Sequence, residues 1–162
     1  MMLKTILVAL ALLPRFHEDR EAVGKVVQEN AVAAAVAKVT KDPDEAAFLL
    51  AWGDAETHYS LRIHEGRCFK WECDRGRARG PWQAHRNSMT LADWDKMQGV
   101  ENVDAQARHA LKMARWALRE CRTRGDARIL GAFRLLGARG CNGVLPGEGE
   151  RLASFKRVRG ML

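Results

Sequence analysis

The stretch Thr40-Lys41-Asp42-Pro43-Asp44-Glu45 constrains the fold more than any other, because it combines the local signals of a helix start. Asp42 can accept from the unpaired amides of the first turn, Pro43 suits the first helical position, and Asp44 and Glu45 meet the positive end of the dipole. A helix is therefore expected from Pro43 to about Tyr59. Counting back from Glu56 by three, four and seven residues reaches Gly53, Trp52 and Leu49, so Glu56 shares the apolar face that turns inward. Burial disfavours the charged form of a carboxyl, and a neutral acid is what glycoside cleavage needs at its leaving oxygen. Gly53, one turn earlier, would leave room for a ligand. The structural alternative is a Glu at a helix end that reaches solvent or pairs with Arg62 or Arg79.

The remaining chain reads as further helices. Glu21 to Val39 is rich in Ala, Val and Glu and lacks proline. A short helix is expected from Leu91 to Gln98, ended by Gly99. A long one follows from Asp104 to about Thr123, with Ala107, Leu111, Ala114, Leu118 and Cys121 on one stripe. Asp126 to Leu136, stopped by Gly137, and Glu150 to Val158 complete the set. Gly66 to Gly80 has neither helical nor alternating apolar period and reads as an irregular, cysteine-bearing loop or small hairpin. At 162 residues, 47% hydrophobic, the chain supports one domain with a buried core.

The first residues combine Lys4 with the apolar run Thr5 to Leu13, as an export signal does, but Pro14-Arg15-Phe16 stands where a small-x-small cleavage site belongs. Residues 1–20 are accordingly expected to be a signal or anchor segment, with residues 3–13 able to attach to a membrane, or else a core helix; residues 21–162 form the domain. Cys68, Cys73, Cys121 and Cys141 allow three disulfide connectivities. Pairing Cys68 with Cys73 and Cys121 with Cys141 closes the shortest segments. The alternatives are zinc held by Cys68, Cys73 and either His64 or His85, or two reduced, buried pairs.

Glu56-Thr57-His58-Tyr59-Ser60, followed after a loop by Arg77-Ala78-Arg79-Gly80-Pro81-Trp82-Gln83, resembles the soluble lytic transglycosylases and related members of the lysozyme-like superfamily. In that family a catalytic Glu followed by a small hydroxyl residue ends a helix, and an Ala-x-Gly-x-aromatic-or-Met-Gln turn comes next. Thr57 holds the hydroxyl position, and Ala78 to Gln83 match the turn. The resemblance covers residues 46–83 well and 127–141 faintly. It implies a mainly α, lysozyme-like helical domain in which Glu56 is the catalytic acid and then base, cutting the β-1,4 bond between N-acetylmuramic acid and N-acetylglucosamine. Gln83, Trp82, Gly80, Thr57 and Tyr59 would bind substrate, and neither a metal nor another cofactor is implied. The partner would be a peptidoglycan glycan strand, and the location periplasmic, secreted, envelope-associated or in a phage virion.

The chain departs from the family late on. An Ala-Tyr-Asn-x-Gly motif is usual there, and the nearest match, Gly131 to Gly137, carries Phe133 and so lacks the hydroxyl. Tyr59, the chain's single tyrosine, either supplies a phenol from another direction or packs in the core. A hydrolase would need a second carboxylate, for which Asp54, Glu65, Glu72 and Asp74 are candidates.

The 27 Lys and Arg, 19 of them Arg, exceed the 20 Asp and Glu by seven, which suits an anionic partner such as the bacterial wall. Arg62, Arg67, Arg75, Arg77, Arg79 and Arg86 are expected to flank the cleft. A non-catalytic nucleic-acid binder, with Phe69, Trp71 and Trp82 stacking on bases, is the competing class. No recognised nucleic-acid motif accompanies it, and nucleic acid is not the expected partner. A wall-binding protein without turnover is the third reading. Trp52 and Trp116 are expected to pack.

Overall fold

The computed structural model describes residues 22–69, 73–86 and 89–162, with side chains described from Val27 onward. Helix α1 is Ala22–Val39, α2 is Pro43–Thr57 and α3 is the single turn Leu61–His64. A two-stranded antiparallel ribbon follows, β1 (Ala78–Arg79) against β2 (Ala84–His85), with Ala78 opposite His85 and Arg79 opposite Ala84. Then come α4 (Leu91–Asp95), a short 3-10 turn Val100–Asn102, α5 (Val103–Glu120), α6 (Gly125–Leu136) and α7 (Glu148–Arg159). The chain is mainly α with disulfide-bearing loops, as its sequence pattern predicts.

Helix α2 begins as its sequence dictates. Asp42 Oδ1 accepts from the amides of Asp44 (2.7 Å) and Glu45 (3.2 Å), and Pro43 opens the first turn. Its burial differs from a one-faced helix, since every residue from Ala46 to Asp54 is buried. A helix apolar nearly all round belongs in the centre of a domain. Helices α1, α5 and α7 each pack on α2, and α6 packs on α5 and α7. Phe48 stacks on Phe133 of α6 with ring centroids 4.3 Å apart, a pairing worth about 1 kcal/mol beyond its area. The Phe133 ring is therefore core, 2% exposed.

Helix α2 ends two residues earlier than the sequence suggests. His58 (φ 47°) and Tyr59 (φ 56°) are both left-handed, and the His58 amide closes the helix on Asp54 O at 2.8 Å. The predicted long helix shifts slightly to Val103–Glu120, burying Ala107, Ala110, Leu111, Ala114 and Ala117. Trp116 on that helix does not pack inward as expected but is 37% exposed. At α7, Glu148 takes a bidentate pair from Arg134 (2.7 and 2.6 Å) and accepts from the Leu145 amide. The Arg134 guanidinium holds the Glu148 carboxyl down to about 2.

The Gly66–Gly80 segment resolves its ambiguity in both directions. The turn Cys73–Gly76 contains left-handed Asp74 and Arg75, and the ribbon begins only at Ala78. Cys68 is bonded to Cys73 and Cys121 to Cys141. Those bonds commit the sulfurs that zinc would need, and no metal-binding cluster of His, Cys, Asp or Glu occurs among the described residues. Two disulfides are characteristic of an oxidising, extracytoplasmic environment. Among the described residues no helix is long and apolar enough to cross a membrane. The expected signal or anchor segment and Glu21 lie outside the described residues.

The Cys121–Cys141 bond spans 20 residues of sequence, joining the end of α5 to the loop after α6. Closing a loop of that length restricts the unfolded chain by about 3 kcal/mol. Replacing both cysteines with Ser is expected to lower the unfolding free energy by that amount in a urea titration, with the helical far-ultraviolet signal retained at low urea.

Candidate active site

The end of α2 meets the ribbon through a notch at Gly53. A Cβ built there would lie 3.0 Å from Tyr59 Cε1, 3.2 Å from its hydroxyl and 3.3 Å from Trp82 Nε1. The space left by the glycine is thus filled by two aromatic side chains, and it is not the ligand space that the sequence suggested. Both aromatics use the opening to reach helix carbonyls. The Tyr59 hydroxyl donates to Leu50 O at 2.5 Å, and Trp82 Nε1 donates to Leu49 O at 2.8 Å. Such a bond to a carbonyl already serving the helix satisfies a buried polar tip that would otherwise be costly.

Thr57 completes this joint. Its hydroxyl lies 3.1 Å from Gly53 O and 3.2 Å from Pro81 O, so it bridges the last turn of α2 and the ribbon's connection. Three of the predicted substrate-binding residues are therefore structural: Thr57, Tyr59 and Trp82 are 4%, 1% and 3% exposed. Burial also pushes the Tyr59 phenol well above its usual range. Trp82 still forms part of the cleft's base, with nearly all its surface in the core.

Above this joint lies a cleft of about 560 Å³. Glu56 and Trp52 of α2 form one wall, and Gly80, Trp82 and Gln83 lie on the ribbon side. Gln106, His109 and Met113 of α5 close another side, with Asp74, Arg79 and His85 also on the margin. The structure thereby brings together Glu56, Gly80, Trp82 and Gln83 from the sequence prediction. Gly80 is required twice over: its φ is 72°, and a Cβ would come within 2.7 Å of the Met97 carbonyl. Gln83, at φ 45°, donates through Nε2 to Gly80 O at 3.1 Å. Its side-chain carbonyl oxygen takes no hydrogen bond from another described residue.

Glu56 is half-buried, and its partner is neither Arg62 nor Arg79. Arg151 of α7 donates from Nη1 to Glu56 Oε1 at 2.8 Å, with side-chain exposures of 15% and 28%. Of the candidate second carboxylates, Asp74 reaches the cleft. Asp54 is buried 3.6 Å from His58 Nδ1, Glu65 pairs with Arg67, and Glu72 lies outside the described residues. Of the six arginines expected to flank the cleft, Arg79 alone lines it, stacked 4.4 Å from Trp94 and donating to Trp94 O. Arg62 donates to Arg67 O and lies over Phe69. Of the three aromatics of the base-stacking set, Trp82 is buried, Phe69 is covered on one face by Arg62, and Trp71 lies outside the described residues.

No protein-family model, curated protein or solved structure matches this chain. The site is therefore read from its own chemistry: a half-buried carboxylate, a carboxamide with a free oxygen, a second carboxylate and two imidazoles about one cleft.

Arg151, Gln106 and His109 escaped the sequence reading. Arg151 is 95 residues from Glu56, so nothing local marks it. Gln106 does fall on the buried stripe of α5, which was a usable signal. Its Nε2 donates to Gly99 O at 2.9 Å, and its carboxamide and that of Gln28 face the two ring nitrogens of His64. His64 is 1% exposed, and burial pushes it from 6.5 down to about 4. Burial, followed by the nearby Lys112 charge, also pushes His109 below its usual range.

Two outcomes follow from this geometry. Gly53→Val should drive Tyr59 and Trp82 off the helix, destabilising the chain by roughly 1–3 kcal/mol in chemical denaturation. For His64 the folded form binds its proton more weakly than the unfolded form, so its contribution is complete above pH 6.5 and is lost as pH falls toward 4. Unfolding free energies measured across that window should drop by roughly 3 kcal/mol from this group, and His64→Gln should remove that component of the slope.

Proposed function

We propose that the chain is a glycan-cleaving enzyme of the lytic transglycosylase type, acting on the β-1,4 bond between N-acetylmuramic acid and N-acetylglucosamine in peptidoglycan. The observation that carries this reading is the meeting of Glu56 with Gly80 and Gln83 on one open cleft, the residues through which the sequence resembles that family. Mainly α architecture, positive net charge and two disulfides are compatible with a lysozyme-like domain working on the anionic wall outside the cytoplasm.

In this reading Glu56 gives a proton to the bridging oxygen as the bond from that oxygen to the anomeric carbon breaks. The muramic acid 6-hydroxyl then attacks the anomeric carbon, and Glu56 takes the hydroxyl proton, leaving a 1,6-anhydro ring. One carboxyl serves both steps, and no water is consumed. The free carboxamide oxygen of Gln83 can accept from an N-acetyl or hydroxyl group of the sugar. Arg151 suits the second step, in which Glu56 acts as a base; for the first, the glycan must part Arg151 from Oε1. Tyr59 and Thr57 hold the wall of the cleft in place and do not touch sugar.

Asp74 favours a second reading. A second carboxylate on the same cleft could direct water to the anomeric carbon, making the enzyme a muramidase that yields reducing ends. Incubating purified sacculi with the wild type and with Glu56→Gln, followed by mass analysis of released muropeptides, separates these. Anhydro products from the wild type, reduced at least about 100-fold by Glu56→Gln, are expected. Reducing-end products lost on Asp74→Asn would establish the hydrolase instead. Walls left intact by the wild type would remove the enzymatic reading.

A further inference from the structure

Helix α5 carries a second polar face that the cleft does not use. Gln106, His109 and Met113 border the cleft, whereas Arg108, Lys112, Arg115 and Arg119 border a separate groove of about 420 Å³ against the end of α1. At 3.6 residues per turn the two sets point roughly 120° apart around the helix. Val39 and Leu111 also line the groove, as does Lys38. Arg115 is paired with Glu45, and Lys38 with Asp104. Arg108, Lys112 and Arg119 are exposed and have no carboxylate partner among the described residues.

Such a row opposes helix stability, because cations three and four residues apart repel each other along one face. A ligand that neutralises them would turn the conflict into binding energy. We propose that this groove binds a linear polyol phosphate, the phosphodiester polymer of alternating alcohol and phosphate units. One cation per turn, about 5.4 Å apart, presents repeated charges to a chain that repeats its own. The apolar side chains of Val39 and Leu111 suit the methylene groups between phosphates. No aromatic side chain lines the groove, so single-stranded nucleic acid finds no stacking platform there. Trp116 is exposed on the same helix but outside the lining. A groove also admits a flexible strand more readily than a flat lipid surface or a thick duplex. The inference does not depend on the chemistry at Glu56.

The test is fluorescence anisotropy of labelled poly(glycerol phosphate) with the full chain, over a series of salt concentrations. The wild type is expected to bind with steep salt dependence. The triple variant Arg108→Gln, Lys112→Gln, Arg119→Gln should bind at least about tenfold more weakly with a shallower salt slope. Lys112→Glu alone should weaken binding in the same direction. A control of equal charge change, Arg122→Gln, Arg124→Gln, Arg139→Gln, should retain affinity within about twofold. The proposal is overturned if the wild type does not bind, if the two triple variants weaken binding equally, or if duplex DNA or anionic lipid vesicles bind more tightly through the same three residues.

Discussion

The site depends on one missing side chain in the middle of a buried helix. Gly53 lets the Tyr59 hydroxyl and the Trp82 indole reach the carbonyls of Leu50 and Leu49. These contacts fold the residues after the helix back along it and seat the ribbon against its last turn, with Thr57 bridging the two. Glu56 is thereby set beside Gly80 and Gln83, although α3, the Cys68–Cys73 disulfide and β1 lie between them in the chain. The backbone strain of two successive left-handed residues, His58 and Tyr59, is sustained because the aromatic ring after the turn is fixed in the core.

Polar groups around this joint are tied inward in layers. Gln106 links the His64 ring to the Gly99 carbonyl, and its side-chain oxygen lies close beneath the backbone of Gly80. The base of the cleft is thus tied together by Gln106, His64 and Gln28, although the buried Gln28 Nε2 has no hydrogen-bond partner among the described residues. Its upper edge is different: Glu56 and Arg151 come from α2 and α7 and meet where both remain partly open to solvent. The rigid part of the site therefore lies with the glycine turn, and the part able to rearrange lies with the ion pair.

Much of this was legible in the sequence, and for local reasons. The Asp42-Pro43 start, the stripe on α5, the glycine stop after α6 and the pairing of nearby cysteines each depend on residues close in the chain. The Glu56 and Gly80-x-x-Gln83 pattern was legible because the family resemblance supplied a spacing. What stayed hidden was set by tertiary contact. Nothing within the Gly53 neighbourhood says whether a ligand or two aromatics fill the gap, and nothing near Arg151 says that it turns to Glu56. The arginines between 62 and 86 misled because clustering in sequence does not make a common surface. Arg62 and Arg79 are held on Phe69 and Trp94, and only Arg79 reaches the cleft.

The burial of Tyr59 has a practical consequence. Since the chain has one tyrosine and its phenol is sealed against a helix carbonyl, tyrosinate absorbance in alkali comes from molecules whose helix-to-ribbon joint has opened. The protein thus carries its own optical gauge of that joint, requiring no label.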